Sequence, residues 1–174
     1  MAIPDPTRVD RFLAEPTLAE CSLRAALTRA QSGREAAWAL AEQAGDALGL
    51  LDCVVYLADG DHTLTQVAAW GYKQAAPRIL ESAIRLSLDR GIVGACARER
   101  APQLVPDTRL DRRYVIDDGH RLSEVAVPIL DGDRLIGVID SEHPDTDAYR
   151  SAHVRALQRL AGLMVERMRQ LERG

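Results

Sequence analysis

The clearest hydrophobic pattern in the chain is a pair of apolar runs, residues 125–130 and 135–139, separated by Asp131-Gly132-Asp133. An acidic-glycine turn between two runs rich in Val, Ile and Leu predicts a β-hairpin. Both runs are nearly continuous rather than alternating, so both faces of these strands are expected to be covered. Polar residues enter only at the outer ends, as Ser123 and Glu124 on one strand and Asp140 and Glu142 on the other.

Upstream, residues 1–16 carry three prolines among mixed charges and read as an arm without a core of its own. Thr17 followed by Glu20 has the spacing of a capping box, which predicts a helix over 17–31 with Leu18, Cys21, Ala25 and Leu27 on one surface. Ser32-Gly33 interrupts it. An alanine-rich helix over 35–48 follows, with Trp38 as its one large side chain and Gly49 as its left-handed stop. Strands are predicted over 51–58 and 63–71 around the turn at residues 59–61. A short helix is expected over 75–83, then a strand through Ile84, Leu86 and Leu88, a helix over 91–98 and an edge strand over 102–105. Residues 106–121 form a long irregular connection, the kind of segment that is usually functional or mobile.

The last helix is predicted from near Asp147 to Glu172. Val154, Leu157, Ala161, Met164, Met168 and Leu171 recur along it at three- and four-residue spacings, as in a heptad seam. A second stripe, Ala156, Leu160 and Leu163, occupies its first half. Two stripes call for two partners, the sheet and something outside it. The reading taken is a parallel homodimer through the seam, with the first helix completing a four-helix contact; the alternative is that the first helix covers the seam within one molecule.

A length of 174 residues allows one domain with a sizeable core, here assigned to 17–172. The net charge of −4 offers no basic footprint for nucleic acid. No apolar run approaches the ~20 residues of a membrane span, and the first residues lack the apolar core of a signal peptide. Cys21, Cys53 and Cys96 form no C-x-x-C pair, which fits a reducing compartment, so the expected location is the cytoplasm. The four histidines are scattered without metal-ligand spacing, and no metal site is expected.

Ser123-Glu124 with Pro128-Ile129, followed by Gly137-Val138-Ile139-Asp140 and Glu142, resembles the paired S-E-x-x-x-P-[IL] and G-V-[IL]-D-x-[DE] strands of GAF domains. Gly91-Ile92-Val93-Gly94 is similar to the helix start of the same family. The resemblance implies an α+β fold: a central antiparallel sheet of about six strands, with terminal helices on one face and a ligand pocket with short helices and loops on the other. It also implies a small-molecule sensor or regulatory module in signalling, rather than an enzyme.

On a strand, residues two apart share a face, so Asp140 and Glu142 point the same way. A three-residue hairpin loop places Glu124 opposite Asp140, whereas a two-residue loop sends it to the other face. Gathered in one pocket, the three carboxylates would favour an ammonium, amine or guanidinium. Alternatively, Arg112, Arg113 or Arg121 neutralises them.

Within the GAF-like proteins the chain is similar to the free methionine-(R)-sulfoxide reductases. That resemblance implies ligand contacts by Glu124, Asp140 and Glu142, an aromatic contact by Tyr56, and a site also including Val93, Tyr114 and Asp117. Val93 stands where the reductase motif has a cysteine, and the segment 114–117 has none either. Reductase chemistry is therefore the second reading, and a ligand-free dimerisation module the third.

Overall fold

Alternation along the strands sorts their side chains between two unlike layers. The computed structural model describes residues 6–15, 17–60, 62–82, 84–116 and 119–174. Strands β1 (Asp52–Asp59), β2 (Thr63–Gly71), β5 (Arg85–Ser87), β6 (Gln103–Val105), β7 (Ser123–Asp131) and β8 (Arg134–His143) form one sheet in the order β5-β2-β1-β8-β7-β6. Each neighbouring pair is antiparallel. This is the expected α+β architecture.

Odd-numbered residues Cys53, Val55, Val125, Val127, Ile129 and Ile139 point into a core shared with helices α1 (Pro6–Ala14), α2 (Thr17–Arg29), α3 (Gly33–Leu48) and α5 (Ser151–Arg173). Even-numbered Val54, Tyr56, Ala126 and Val138 face α4 (Gly91–Glu99) in a second, smaller core. With both faces covered, β7 and β8 have no reason to alternate polar with apolar, which is why their runs are continuous. Gly49 ends α3 at φ +67° with its N–H bonded to the Gly45 carbonyl, as its position after the last apolar turn predicts.

Several expectations are corrected. The arm contains α1, whose Val9 (0 % exposed) and Phe12 (4 % exposed) enter the helix-side core. Two apolar residues one turn apart were enough to dock a segment whose prolines suggested otherwise. The helix expected over 75–83 is instead a small separate hairpin, β3 (Gln74–Ala76) and β4 (Ile79–Leu80). Pro77 disfavours helical backbone at Ala76, and Arg78 at φ +58° completes the reversal. The side chain of Thr17 lies outside the described residues. On α2 the inward residues are Leu23 and Leu27, while Leu18 (84 % exposed), Cys21 and Ala25 face outward.

Helix α5 begins at Ser151 rather than near Asp147, because Asp147 is left-handed (φ +57°). The Arg150 N–H is taken up by His153 Nδ1 at 3.0 Å, one turn into the helix. Leu157, Ala161 and Met164 of the heptad seam are buried inside the protomer, with Val154 and Met168 packed partly against the same core. Ion pairs Arg24–Glu166 (2.7 Å) and Glu20–Arg159 fasten α2 alongside α5. Val154, Met168 and Leu171 of the same seam are half-buried.

Candidate ligand site

The turn between β7 and β8 contains two residues, Gly132 and Asp133, with Asp131 opposite Arg134. Left uninterrupted, that register would put Glu124 and Asp140 on opposite faces. A register shift between Ile129 and Leu130 leaves Ile136 as an extra residue in β8 and restores parity. Glu124 then lies directly opposite Glu142, and Asp140 opposite Ala126. All three carboxylates share the face toward α4: the loop is the two-residue alternative, and a bulge supplies the parity that a three-residue loop would have given.

The glycine of the G-V-I-D strand has a plain steric role. A Cβ on Gly137 would sit 2.0 Å from the Tyr56 carbonyl oxygen of β1. Only glycine lets the two backbones approach here, and the same approach carries Tyr56 up to the acidic face. Gly94 works similarly: its Cβ would fall 2.8 Å from the Leu88 carbonyl, so α4 packs directly on the chain entering it.

Between the sheet and α4 lies a cavity of about 420 Å³, lined among others by Tyr56, Val93, Val115, Glu124, Asp140 and Glu142. Arg85 and Arg90 line it as well, from β5 and from the residue before α4. Asp140 is 4 % exposed, and its Oδ1 has no hydrogen-bond partner. Burial, then the neighbouring Glu124 and Glu142, hold its carboxyl well above the usual range. A fourth carboxylate, Asp52 at the start of β1, accepts the Glu142 backbone N–H at 2.8 Å. Burial chiefly raises its pKa to about 7, and its Oδ2 is unpartnered.

A cation is already present at the cluster. Lys73 Nζ is 3.1 Å from Glu142 Oε2, and both side chains are 6 % exposed. The Tyr114 hydroxyl is 3.4 Å from Glu142 Oε1 and accepts the Arg121 N–H at 3.1 Å. Two of the arginines considered from sequence lie nearby, and the Arg121 charge favours the ionised form of Asp52. Arg113 bonds Asp111 and Gln103, and Arg121 contributes this backbone N–H.

Of the sequence-predicted residues, Glu124, Asp140, Glu142, Tyr56 and Val93 meet at the cavity, and Tyr114 braces Glu142 from behind. Asp117 lies outside the described residues. Lys73, Asp52, Arg85 and Arg90 were missed. One signal was available: Lys73 is the single lysine in a chain with 22 basic residues. Cys96 is on α4 but buried in the smaller core, where burial pushes its thiol up, away from the thiolate a nucleophile requires. Among the described residues, no group of three or more His, Cys, Asp and Glu side chains is arranged to hold a metal ion. No helix among them is long and apolar enough to cross a membrane.

A sheet flanked by terminal helices, with a cavity walled by the hairpin and a short helix, defines a class of small α+β domains. The GAF domain family matches residues 30–166, and the chain belongs to that family. A free methionine-R-sulfoxide reductase of Saccharomyces cerevisiae is 30 % identical over 80 residues, 45 % of this chain and 44 % of that protein's length. The aligned part thus spans less than half of the yeast protein. Among solved structures, a putative GAF sensor protein from Burkholderia vietnamiensis superposes with a TM-score of 0.77 at 23 % identity, covering 96 % of this chain and 99 % of its own. A free methionine-R-sulfoxide reductase of Staphylococcus aureus superposes at 0.76 with 20 % identity over 97 % and 99 % of the two chains. These structural likenesses carry the fold.

Proposed function

We propose that the chain is a small-molecule-sensing regulatory domain that takes an amine-bearing ligand in the cavity between the sheet and α4. The observation that carries this reading is the unpartnered Asp140 Oδ1, buried in a wall it shares with Glu124 and Glu142. A buried polar atom without a partner costs about 1–3 kcal/mol, and a ligand ammonium supplies the missing donor together with the missing charge. Arg85 and Arg90 on the same cavity suit an anionic end, so a small zwitterion of amino-acid type fits both charge signs.

Occupancy has a path to the terminal helices. Ser141, between Asp140 and Glu142 but on the opposite sheet face, lies 2.7 Å from the Tyr149 hydroxyl, two residues ahead of α5. Tightening of β8 around a ligand would move that anchor. The reading places the protein in the cytoplasm. A homodimer through the α5 seam would rest on its half-buried positions Val154, Met168 and Leu171, since Leu157, Ala161 and Met164 lie inside the protomer.

Calorimetric titration with a panel of small amines, amino acids and simple carboxylates tests it. Amine-bearing compounds should bind, and Glu124→Gln with Asp140→Asn should abolish that binding without unfolding the domain. Binding of carboxylates alone would overturn the reading.

The second reading, a free methionine sulfoxide reductase, is favoured by the yeast relative. Against it stand Val93 at the cavity wall and the buried Cys96, whose thiol burial pushes up. A thioredoxin-coupled assay on free methionine-R-sulfoxide decides: turnover lost in Cys96→Ser would establish it, and no turnover rejects it.

A further inference from the structure

Resting on the amine-binding reading, we infer that Asp52 is a positioning residue for the cavity, holding Glu142 from behind and releasing its proton when an ammonium enters. Asp52 opens β1, behind the residues that line the cavity. The β1–β8 ladder ends with Val54 opposite Asp140, so Asp52 stands on the same face beside Glu142, just past the last pair. Its side chain supplies there the bond that the ladder no longer gives: Oδ1 accepts the Glu142 backbone N–H at 2.8 Å. Its own carbonyl accepts the Ser141 hydroxyl at 2.6 Å. Two consecutive residues of β8, pointing to opposite faces of the sheet, are therefore tied to one residue of β1. That tie sets where Glu142 stands in the cavity wall.

The other carboxylate oxygen, Oδ2, has no hydrogen-bond partner, and the residue is 1 % exposed. An ionised oxygen buried without a donor is strongly unfavourable, and a protonated one much less so. Titratable and charged groups face Asp52 from several elements: Glu142 and Asp140 on β8, Lys73 between β2 and β3, Arg121 ahead of β7, Tyr149 ahead of α5, and Cys53 on its own strand. Burial and the Glu142 charge keep the proton on, the Glu142 N–H, Lys73 and Arg121 favour its loss, and the balance falls at about 7. An ammonium seated beside Asp140 adds positive charge to that balance without touching Asp52, and tips it toward ionisation. Linkage makes the effect mutual: if the amine drives the proton off, loss of the proton tightens the amine. Amine affinity should therefore rise with pH through about 7 and fall as Asp52 regains its proton below it.

The test is calorimetry with n-butylammonium on wild type and Asp52→Asn at about pH 6 and about pH 8, on either side of the Asp52 midpoint. The probe stays charged across that range, and asparagine keeps an oxygen for the Glu142 N–H but has no proton to release. From the lower to the higher pH the wild type should gain at least about fivefold more affinity than Asp52→Asn, since one unit of pKa shift on binding corresponds to about tenfold. Taking the difference removes the contribution of Asp140, which both proteins share. Equal pH dependence in the two overturns the proton coupling. Asp52→Ala, which lacks the acceptor as well, should bind about fivefold more weakly than Asp52→Asn at both pH values, the equivalent of one hydrogen bond. Equal binding by the two variants overturns the positioning role. A second measurement uses wild type alone and does not depend on a variant folding. With the aspartate carboxyl carbons 13C-labelled, one signal should titrate near 7, and saturation with n-butylammonium should move its midpoint down. A midpoint that stays in place overturns the inference. If n-butylammonium binds wild type and Asp52→Asn with the same pH dependence, the role of Asp52 fails while the amine-binding reading stands. If it binds neither, both fail.

Discussion

Glu124 and Glu142 stand directly opposite each other across the β7–β8 ladder, both buried, with Asp140 on the same face. Like charges at cross-strand distance destabilise a sheet by a fraction of a kcal/mol to about 1 kcal/mol. A domain that keeps this arrangement gives up stability at the place where its cavity is most polar. Loss of the repulsion should therefore separate stability from binding. Glu124→Gln is expected to stabilise the unliganded protein by about 0.5–1 kcal/mol in urea denaturation, and to weaken amine binding in calorimetry. Loss of both stability and binding would mean that Glu124 serves the fold.

Asp52 makes the stability depend on pH. Its native pKa of about 7 lies above the ordinary aspartate value near 3.8. The native state therefore keeps a proton that the unfolded chain has released, and this residue's contribution falls as pH rises from about 4 to about 7. Buried His153 acts in the opposite sense. Its native pKa near 4 lies below the ordinary value of 6.5, so stability falls as pH drops through that window. The two are separated by difference: urea unfolding of Asp52→Asn should match wild type near pH 4 and exceed it by a few kcal/mol at pH 8. A gap that does not change with pH would show that Asp52 does not titrate in this range.

Gly137→Ala should cost about 1–3 kcal/mol by overpacking, because its methyl would sit 2.0 Å from the Tyr56 carbonyl. The strands must part to admit it, so amine affinity should fall along with the denaturation midpoint. Gly132→Ala provides the contrast: nothing lies within 4 Å of its Cβ position, so only the strain of its +59° φ is felt.

Thiol labelling of the native protein with a water-soluble disulfide reagent should modify one cysteine of three. Cys21 is exposed, whereas Cys53 and Cys96 are buried. Burial raises the pKa of both buried thiols, which removes reactive thiolate as well as access. Fast labelling of Cys96 would place a reactive thiol beside the cavity and favour reductase chemistry.

What the sequence determined by itself is what short-range patterns encode. The acidic-glycine turn and two β-branched runs specify the hairpin, Gly49 specifies the end of α3, and the covered faces follow from the missing alternation. Motif spacing identified Glu124, Asp140 and Glu142, and the family resemblance added Tyr56 and Val93; all five meet at the cavity. The tertiary structure decided what depends on one residue more or less, or on distant parts of the chain. The bulge at Ile136 leaves no distinct mark in a run of apolar residues, yet it determines whether three carboxylates share a face. The partner of Glu142 comes from Lys73, 69 positions earlier, and local periodicity carries no information about such a pairing. The α5 seam was legible as an apolar stripe, but a stripe does not name what covers it. Leu23 and Leu27 of α2 and Phe12 of α1 belong to the same buried core as Leu157, Ala161 and Met164, whereas Val154, Met168 and Leu171 stay half-buried, and residues so far apart in the chain leave no joint periodic signal.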